Sequence, residues 1–418
     1  MKYLLVIGDG MADNPVAELD GRTPLEAADK PVIDALAARG IVGSVINCPK
    51  PLPAGSETAI LSIFGCDPLR CFTGRSPMEA AALGIPLSEG DVCYRCNLVS
   101  FEEGDGPLDE RRILSHSAGS ITGPEALETI RALNADPAFS AALRAANMEL
   151  PPIATFRPLI VEHGGDFSGI RFVPPHDHLG EKIGPLLPCG DPKAEKYTSL
   201  MRLANRILEH HPVTEARRAS GRMGANGIWI WAEGTALSLP DFKTEYGLGG
   251  AVVSAVPICH GIGVLRGLEK VEVEGATGEI DTNFEGKLEA TWQKLQQYDF
   301  VCLHLEAPDE CTHNGDLPGK IRAIEWLSSR LVGPLVERME AAGMEYRILL
   351  LSDHKTLTST RGHDGDPVPF LLYDSRSDSG RGVGYTEAAG EAGPFLPHGD
   401  CLLKLLFQQG GEELLSGG

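Results

Sequence analysis

Long apolar stretches are missing from this sequence, and basic residues are scarce. No run approaches the roughly 18 uninterrupted apolar residues of a membrane-spanning helix, and Tyr3–Ile7 is too short for a secretory signal peptide. The 418 residues include 37 Lys and Arg against 58 Asp and Glu, a formal net charge of −21. Because so acidic a protein repels a phosphate backbone, we expect no nucleic-acid partner. The sequence also lacks a basic amphipathic segment that could lie on an anionic membrane, so we expect no membrane partner.

Several motifs that would define a reaction class are also missing. The sequence has no GxxxxGK[ST] phosphate loop, no GxSxG nucleophile elbow and no HExxH zinc motif. The ten cysteines are scattered, which fits free thiols in a reducing cytoplasm. Cys93 and Cys96 form a lone CxxC, and no second pair is present to complete a zinc site.

Short apolar runs alternate with helical patterns along much of the chain. Runs bounded by Gly, Asp or Pro predict buried parallel strands at Tyr3–Ile7, Gly227–Trp231, Ala251–Val256, Asp299–Leu305, Arg347–Leu351 and Pro369–Tyr373. Apolar spacing of three or four predicts helices over Pro31–Arg39, Gly286–Gln297 and Lys320–Ala342. This alternation predicts an α/β fold with a mainly parallel sheet flanked by helices.

The middle of the chain has a different character. From about Pro77 to Gly224 it is richer in turns, Pro and Arg. We interpret residues 78–224 as an inserted smaller α/β domain that interrupts a first domain made of residues 1–77 and 225–418. Residues 410–418 are expected to be a frayed tail.

Acidic and imidazole side chains cluster at the predicted strand ends. Their positions are Asp9, Asp309, His313, Asp353, His354 and His363. The carboxyl ends of parallel strands share one edge of a sheet, where ligands bind. Singly, each residue could be an ordinary turn, cap or polar side chain. Together they supply enough oxygen and nitrogen ligands for two divalent ions of the manganese or zinc type.

A nucleophile candidate lies in the segment LPAGSETAIL. Ser56 follows Gly55 and precedes a predicted helix, so it can be a helix N-cap. The same position places its hydroxyl where the helix dipole favours an anion. A bound metal ion would lower the hydroxyl pKa and make Ser56 an attacking alkoxide.

The ordered segments resemble those of a known enzyme family. They are VIGDGMAD, PAGSETAILSIFGCDP, FTGRSPMEA, CYRCNLV, SAGSI, PPHDHLG, DTNFEGK, EAPDECTHNGD, SDHKT and DPVPFLLYD. The chain resembles the cofactor-independent (2,3-bisphosphoglycerate-independent) phosphoglycerate mutases of the alkaline phosphatase superfamily, and among these mutases it resembles the archaeal-type branch. This resemblance implies an alkaline-phosphatase-like fold.

The resemblance also implies roles for individual residues. Asp9, Ser56, Asp353 and His354 would hold one metal ion, with Ser56 also the nucleophile, and Asp309, His313 and His363 would hold the other. Manganese is the expected metal, with magnesium, cobalt or zinc as alternatives, and no 2,3-bisphosphoglycerate is needed. A phosphoserine intermediate would interconvert 3-phosphoglycerate and 2-phosphoglycerate in glycolysis and gluconeogenesis.

Substrate recognition leaves alternatives open. Arg75, Arg95 and Arg157 are candidates for binding the carboxylate and phosphate of the substrate, although each can instead form an ordinary surface ion pair. His116, His176 and Asp177 can carry protons, or PPHDHLG can simply be a rigid turn. The segment IWIWAEGTALSLPDF resembles a bacterial sub-branch for which homoserine phosphorylation has been suggested. A homoserine kinase-like phosphotransferase and a phosphomonoesterase are therefore the alternative functions.

Overall fold

The chain folds as two units, each with its own sheet and core. The structure is a computed structural model that describes residues 1–104 and 106–408, so the predicted tail at 410–418 lies outside the described residues. The first unit contains Met1–Phe72, Ala81–Leu83 and the chain from Ser238, and the second contains Thr73–Ala80 and Gly84–Leu237. That residues 78–224 form a domain inserted into the first one remains a prediction.

Strands and α-helices alternate along much of the chain. The strands of the described residues are β1 (Lys2–Gly8), β2 (Ile41–Val45), β3 (Val92–Phe101), β4 (Ile113–Ser115), β5 (Met148–Glu149), β6 (Leu159–Glu162), β7 (Gly227–Thr235), β8 (Gly250–Val253), β9 (Glu269–Val271), β10 (Phe300–Leu305), β11 (Tyr346–Leu351), β12 (Lys355–Leu357), β13 (Gly362–Asp364), β14 (Val368–Asp374) and β15 (Phe395–Leu396). The α-helices are α1 (Pro24–Ala27), α2 (Pro31–Arg39), α3 (Ser56–Ile63), α4 (Pro68–Cys71), α5 (Ser76–Ala82), α6 (Gly123–Ala135), α7 (Pro137–Ala145), α8 (Glu195–Leu208), α9 (Pro212–Ala219), α10 (Phe242–Tyr246), α11 (Pro257–Leu265), α12 (Phe284–Gln297), α13 (Ala307–His313), α14 (Leu317–Trp326), α15 (Gly333–Ala341), α16 (Glu387–Glu391) and α17 (Leu402–Leu406). No helix of the described ranges has the length and apolar content to cross a bilayer.

The first unit is built on a sheet whose strand order is β15-β2-β14-β11-β1-β10-β8-β9. The central strand β1 pairs in parallel with both β10 and β11, so that Val6 lies opposite Leu303 and Leu350. These side chains are fully buried, because helices cover both faces of a parallel sheet and its strands become continuous apolar runs. The prediction of a mainly parallel sheet is confirmed.

One strand of this sheet runs against the prediction. Pro369–Tyr373 forms part of β14, which pairs antiparallel with both β11 and β2. A strand inside the sheet is buried on both faces whichever way it runs, so its apolar pattern does not report direction. The reversal has a consequence for the site, because Phe370 lies opposite Leu351 at the edge where β1 and β11 end.

The second unit has an antiparallel sheet centred on β3. Gly227–Trp231, which the sequence predicts as a parallel strand, belongs to β7 and pairs antiparallel with β3. Again the run is buried on both faces, so its pattern imitates a parallel strand. Cys93 and Cys96 both lie on β3, and an odd separation in a strand sends side chains to opposite faces. The CxxC therefore cannot act as one metal or redox pair.

The longest predicted helix, Lys320–Ala342, is interrupted. Helices α14 and α15 are joined by a π-helical turn, Leu327–Val332, and Pro334 is the second residue of α15. Proline lacks the N–H that an α-helix would need here, and its ring displaces the preceding carbonyl, which accounts for the local change of pitch.

Candidate metal centre

The predicted Asp, Ser and His residues meet at one edge of the first unit's sheet. Asp9 directly follows β1, and Asp353 and His354 follow β11. Asp309 and His313 lie on α13, which begins just after β10, and Ser56 begins α3. His363 lies on β13, which forms a hairpin with β12 and leads into the reversed strand β14. Because β14 is antiparallel to β11, it starts at the edge where β11 ends, and the intervening hairpin stays at that edge.

Gly10 allows the turn after β1 to approach the other site loops. Its φ of +61° lies in the left-handed region, and a Cβ there would be 2.5 Å from Thr356 Oγ1 and 2.8 Å from Asp309 Oδ1. Any other residue would clash with groups that surround the site, so the GDG sequence has a local steric cause.

Four side chains converge in the first cluster, made of Asp9, Ser56, Asp353 and His354. His354 Nε2 lies 3.1 Å from Asp353 Oδ2 and 3.7 Å from Asp9 Oδ1. Ser56 Oγ lies 3.3 Å from His354 Nε2 and 3.3 Å from Asp9 Oδ2. The carboxylates and the imidazole are completely or almost completely buried. These residues therefore present oxygen and nitrogen atoms to a common point in the protein interior.

The second cluster consists of Asp309, His313 and His363, and it is more open. His313 Nε2 lies 3.1 Å from Asp309 Oδ2, as the spacing of four residues on one helix face predicts. His363 Nε2 lies 3.4 Å from Asp309 Oδ1 and 2.9 Å from His313 Nε2. The two clusters adjoin, because ligand atoms of Asp9, Asp309 and His354 all lie within 4.8 Å of one another.

These separations suit divalent metal ions. Ligand bonds of about 2.0–2.1 Å in a tetrahedral site place neighbouring donor atoms about 3.3 Å apart. Two oxygens of the first cluster, Asp9 Oδ1 and Asp353 Oδ2, are buried without a hydrogen-bond donor, whereas Asp353 Oδ1 accepts the backbone N–H of Gly10 and of His354. Buried carboxylate oxygens without donors are expensive unless a cation binds them. The donor set therefore fits the use of divalent metal ions.

Ser56 does not cap its helix. The N-cap of α3 is Gly55, whose carbonyl accepts the N–H of Thr58 and Ala59. Ser56 is the first helical residue, and its hydroxyl contacts Asp9 and His354 instead of a backbone amide. The N-cap interpretation is therefore wrong, and the hydroxyl is directed at the first cluster.

The charges of the site are strongly perturbed. Burial, together with Asp353 and Asp309, raises the pKa of Asp9 well above its ordinary value. Burial lowers the pKa of His354. The hydrogen bond to Asp309 raises the pKa of His313 to about 9. The neighbouring carboxylates thus disfavour the ionised form of Asp9 in the absence of a cation, and a bound cation would reverse that effect.

Sequence reasoning missed two residues that contact the predicted ligands. His304, inside β10, places Nε2 3.0 Å from Asp9 Oδ2. Thr356 Oγ1 donates to Asp309 Oδ1 at 2.6 Å and lies 3.2 Å from His354 Nδ1, so it touches both clusters. A histidine within an otherwise apolar strand, in VCLHL, was the available signal for His304. Thr356 carried no comparable signal.

The three candidate arginines lie together in the second unit. Arg95 is buried and makes two hydrogen bonds through Nε and Nη2 to Glu79. Arg75 Nε lies 3.6 Å from the same carboxylate, and Arg157 also acts on it electrostatically. Although burial opposes its ionisation, these arginines keep the pKa of Glu79 below its ordinary value.

Aromatic rings and imidazoles accompany these arginines. Arg95 lies over the Trp231 ring and Arg157 over the Phe156 ring. The ring centres of His116 and His176 are 5.9 Å apart, and burial lowers the pKa of both. Asp177 and His176 share a short 3₁₀ turn, and Asp177 Oδ1 is 3.6 Å from His176 Nε2. The second unit thus offers a cationic and aromatic cluster.

Comparison with known proteins identifies the family. Residues 37–214 match the family model described as 2,3-bisphosphoglycerate-independent phosphoglycerate mutase. A Geobacter sulfurreducens protein named probable 2,3-bisphosphoglycerate-independent phosphoglycerate mutase is 41% identical over 411 residues, covering 98% of this chain and 100% of its own length. The chain belongs to the 2,3-bisphosphoglycerate-independent phosphoglycerate mutase family.

Other members of this mutase family and two solved structures agree. A Methanosarcina acetivorans protein named 2,3-bisphosphoglycerate-independent phosphoglycerate mutase is 41% identical, with 92% of this chain and 94% of that protein covered. The PH0037 protein from Pyrococcus horikoshii has a TM-score of 0.79 at 27% identity, covering 99% of this chain and 97% of its own. Cofactor-independent phosphoglycerate mutase from Thermoplasma acidophilum has a TM-score of 0.63 at 24% identity, covering 98% of this chain and 100% of its own. The family resemblance and the α/β fold predicted from the sequence are confirmed.

Proposed function

We propose that this enzyme interconverts 3-phosphoglycerate and 2-phosphoglycerate through a phosphoserine on Ser56. The observation that carries the proposal is the position of Ser56 Oγ, 3.3 Å from both Asp9 Oδ2 and His354 Nε2. A hydroxyl held among metal-ligand types at a helix N-terminus is placed to become an anionic nucleophile. The substrates are small phosphorylated acids, as the names of the relatives indicate. The ten free cysteines suit the reducing cytoplasm, where we propose that the enzyme acts.

The two clusters are proposed to hold two divalent ions. Asp9, Ser56, Asp353 and His354 would hold one, and Asp309, His313 and His363 the other. Manganese is proposed first, since mixed carboxylate and imidazole donors suit it, with magnesium, cobalt or zinc as alternatives. When bound, the ions would lower the hydroxyl pKa and neutralise charge on the transferring phosphoryl group.

The residues of the chain account for the covalent steps. The bond from Ser56 Oγ to phosphorus forms as the bond from phosphorus to the 3-oxygen of glycerate breaks. The 2-oxygen of the retained glycerate then attacks phosphorus, and the bond to Ser56 Oγ breaks. The 3-oxygen of glycerate gains a proton and the 2-oxygen loses one, so protons balance and no cofactor is consumed. The N-terminal amides of α3 favour the anionic serine and phosphoserine states.

Arg75, Arg95 and Arg157 are proposed to bind the carboxylate and phosphate of the substrate. Glu79 fixes the Arg95 guanidinium through its two hydrogen bonds, which preorganises a planar donor group. His116 and His176 are proposed proton carriers, since their ring centres are 5.9 Å apart and burial lowers the pKa of both imidazoles.

A coupled enolase assay tests the function. The protein is stripped of metal, supplied with Mn²⁺, and given 3-phosphoglycerate with neither 2,3-bisphosphoglycerate nor ATP. We expect turnover on the order of 1–1,000 per second, lost in Ser56→Ala and retained in Ser62→Ala. The control removes a hydroxyl from the same helix that bonds to Asn47 O and not to the clusters.

The same assay separates the alternatives. Turnover of 3-phosphoglycerate that persists in Ser56→Ala would eliminate Ser56 as the nucleophile. Slow release of phosphate from a generic ester, without isomerisation, would favour a phosphomonoesterase. Phosphorylation of homoserine by ATP at the same serine would favour the kinase-like alternative.

A further inference from the structure

His304 lies against the first cluster but is not among its proposed ligands. It is fully buried in β10, directly opposite Ile7 of β1. Its Nε2 lies 3.0 Å from Asp9 Oδ2, and its Nδ1 lies 3.0 Å from Ser254 Oγ. Lys287 Nζ donates to the His304 backbone carbonyl at 3.0 Å. Both ring nitrogens and the backbone of His304 are therefore held by partners from three other segments.

These contacts assign the protons of the ring. A carboxylate that binds a metal ion is ionised and only accepts hydrogen bonds, so in the metal-bound site His304 Nε2 carries a proton and donates to Asp9 Oδ2. In a neutral ring Nδ1 is then the acceptor, and the Ser254 hydroxyl donates to it. Ser254 Oγ in turn accepts the Val256 N–H at 3.0 Å, which leaves its own proton for His304. The chain of hydrogen bonds from Val256 to Asp9 thus runs in a single direction.

The two oxygens of Asp9 consequently differ. Oδ2 accepts from His304 Nε2 and from the Ser56 hydroxyl, whereas Oδ1 is buried with no hydrogen-bond donor and lies 3.7 Å from His354 Nε2. Without a fixed donor, the Asp9 carboxylate could rotate. Oδ1 would then face His304 and Oδ2 the first cluster, or neither oxygen would point at the cation. A fixed donor on one side selects one orientation and presents Oδ1 to the cation.

We propose that His304 is a positioning residue, which holds Asp9 so that Oδ1 binds the metal ion at the first cluster. This inference rests on the proposed metal site and adds a residue that the ligand assignment does not contain. Partners that orient a metal ligand typically contribute 10–100-fold to metal affinity. The effect should be confined to the ion that Asp9 binds, because the side-chain hydrogen bonds of His304 within the described ranges reach Asp9 and not His313 or His363.

Two polar substitutions separate positioning from packing. In His304→Gln the side-chain amide reaches the place of Nε2 and can still donate to Asp9. In His304→Asn the shorter amide occupies the place of Nδ1, so it can keep the Ser254 contact but not the Asp9 contact. Both variants leave an amide in the same buried space, and His304→Gln is therefore the matched control for His304→Asn.

The measurement is a Mn²⁺ titration of the metal-free full-length protein by isothermal calorimetry, with thermal unfolding to verify the fold. We expect His304→Asn to weaken one of two Mn²⁺ sites about 10–100-fold and to leave the other unchanged. His304→Gln should stay within a few-fold of the parent protein at both sites. The kcat of His304→Asn should recover at saturating Mn²⁺, which a role in the chemical step would not allow.

The outcomes distinguish this inference from the proposed function. A parent protein that binds no divalent ion would overturn the metal site and, with it, the positioning role. A parent that binds two ions, with His304→Asn and His304→Gln indistinguishable, would overturn the positioning role alone. If His304→Asn does not fold, Ser254→Ala replaces it: a smaller weakening of the same Mn²⁺ site is expected, and unchanged affinity would reject the proposal.

Discussion

The buried carboxylates of the two units differ in whether the protein itself supplies their hydrogen-bond donors. In the first unit, Asp9 Oδ1 and Asp353 Oδ2 are buried with no hydrogen-bond donor. In the second, the carboxylate of Glu79, almost as well buried, accepts both Nε and Nη2 of Arg95. One cluster is incomplete without a cation, and the other contains its own counter-ion. Incomplete pairing of buried charge marks a binding site, whereas complete pairing marks a group that the protein holds in place.

The pKa shifts follow the same division. Burial and two neighbouring carboxylates raise the pKa of Asp9, while the arginines hold that of Glu79 below its ordinary value. Crowded acids reduce the stability of the metal-free protein, and the second unit gains stability from its ion pair in the same pH range. Neutralising an acid beside Asp9 in the first cluster should therefore stabilise the metal-free protein. Neutralising Glu79 should destabilise it.

The largest effect is expected for Asp353→Asn. Loss of a metal ligand should lower turnover by at least about 10²–10³-fold and reduce bound metal measured by elemental analysis. The metal-free variant should nevertheless unfold at a higher temperature than the metal-free parent, because a buried charge beside Asp9 has been removed. Unchanged metal content would refute the assignment of Asp353 as a ligand, and a lower unfolding temperature would break the comparison.

Glu79→Gln should have the opposite effect on stability. Removing one partner of a buried ion pair costs about 3–5 kcal/mol in the free energy of unfolding, because Arg95 loses the carboxylate that accepts its Nε and Nη2 hydrogen bonds. Chemical denaturation of the metal-free protein measures this difference. Glu215→Gln, at an exposed pair with Arg218, is the matched control and should change stability by less than about 1 kcal/mol.

The same pair predicts a pH dependence. Because the folded-state pKa of Glu79 lies below its ordinary value of 4.5, its stabilising contribution is present in full above that pH. It is lost as the pH falls below 4.5 and through the folded-state pKa. The difference in unfolding free energy between parent and Glu79→Gln should therefore shrink on acidification over this range. A difference that stays constant would show that the charge of Glu79 is not what stabilises the unit.

A smaller effect is expected where an arginine is not enclosed by its partner. The Arg75 side chain is 37% exposed, and its Nε lies 3.6 Å from Glu79. Arg75→Met should raise the KM for 3-phosphoglycerate, because it removes a charge-assisted hydrogen bond of about 1.5–3 kcal/mol. The free energy of unfolding should change little. Arg171→Met, an exposed arginine bonded to Pro185 O, is the control. An unchanged KM would place substrate binding elsewhere.

The smallest effect is expected for Thr356→Val. This change removes the hydroxyl that donates to Asp309 Oδ1 and contacts His354 Nδ1. A ligand without its supporting hydrogen bond should bind metal about tenfold more weakly, measured by competition with a chelator. Thr356→Ser keeps the hydroxyl and should retain the affinity of the parent. Equal losses in both variants would assign Thr356 a packing role.

How far the sequence predicts this molecule depends on how local each signal is. Several strand and helix positions of the first unit followed from apolar periodicity, and α2 coincides with the predicted Pro31–Arg39. The direction of β14 and the sheet to which β7 belongs depend on partners distant in sequence, and a doubly buried strand looks the same in either setting. Pattern alone could not assign them.

The site shows the same limit. Asp309 and His313 share one helical face, so their approach was predictable from spacing. The Ser56 hydroxyl was open to two interpretations because cap and nucleophile use the same residue type. The bond between Arg95 and Glu79 joins β3 to α5, and the bond between His304 and Asp9 joins β10 to the turn after β1. Contacts of this kind exist only after the chain has folded.

The short hairpin formed by β12 and β13 connects the first and second clusters of the candidate metal centre. It begins just after His354 and carries Thr356 and His363, which lie opposite each other. Opening this hairpin would disturb ligands of both clusters without requiring the sheet to unfold. Bound cations should therefore slow hydrogen exchange at its amides, and any metal loss that requires the hairpin to open can be no faster than that opening.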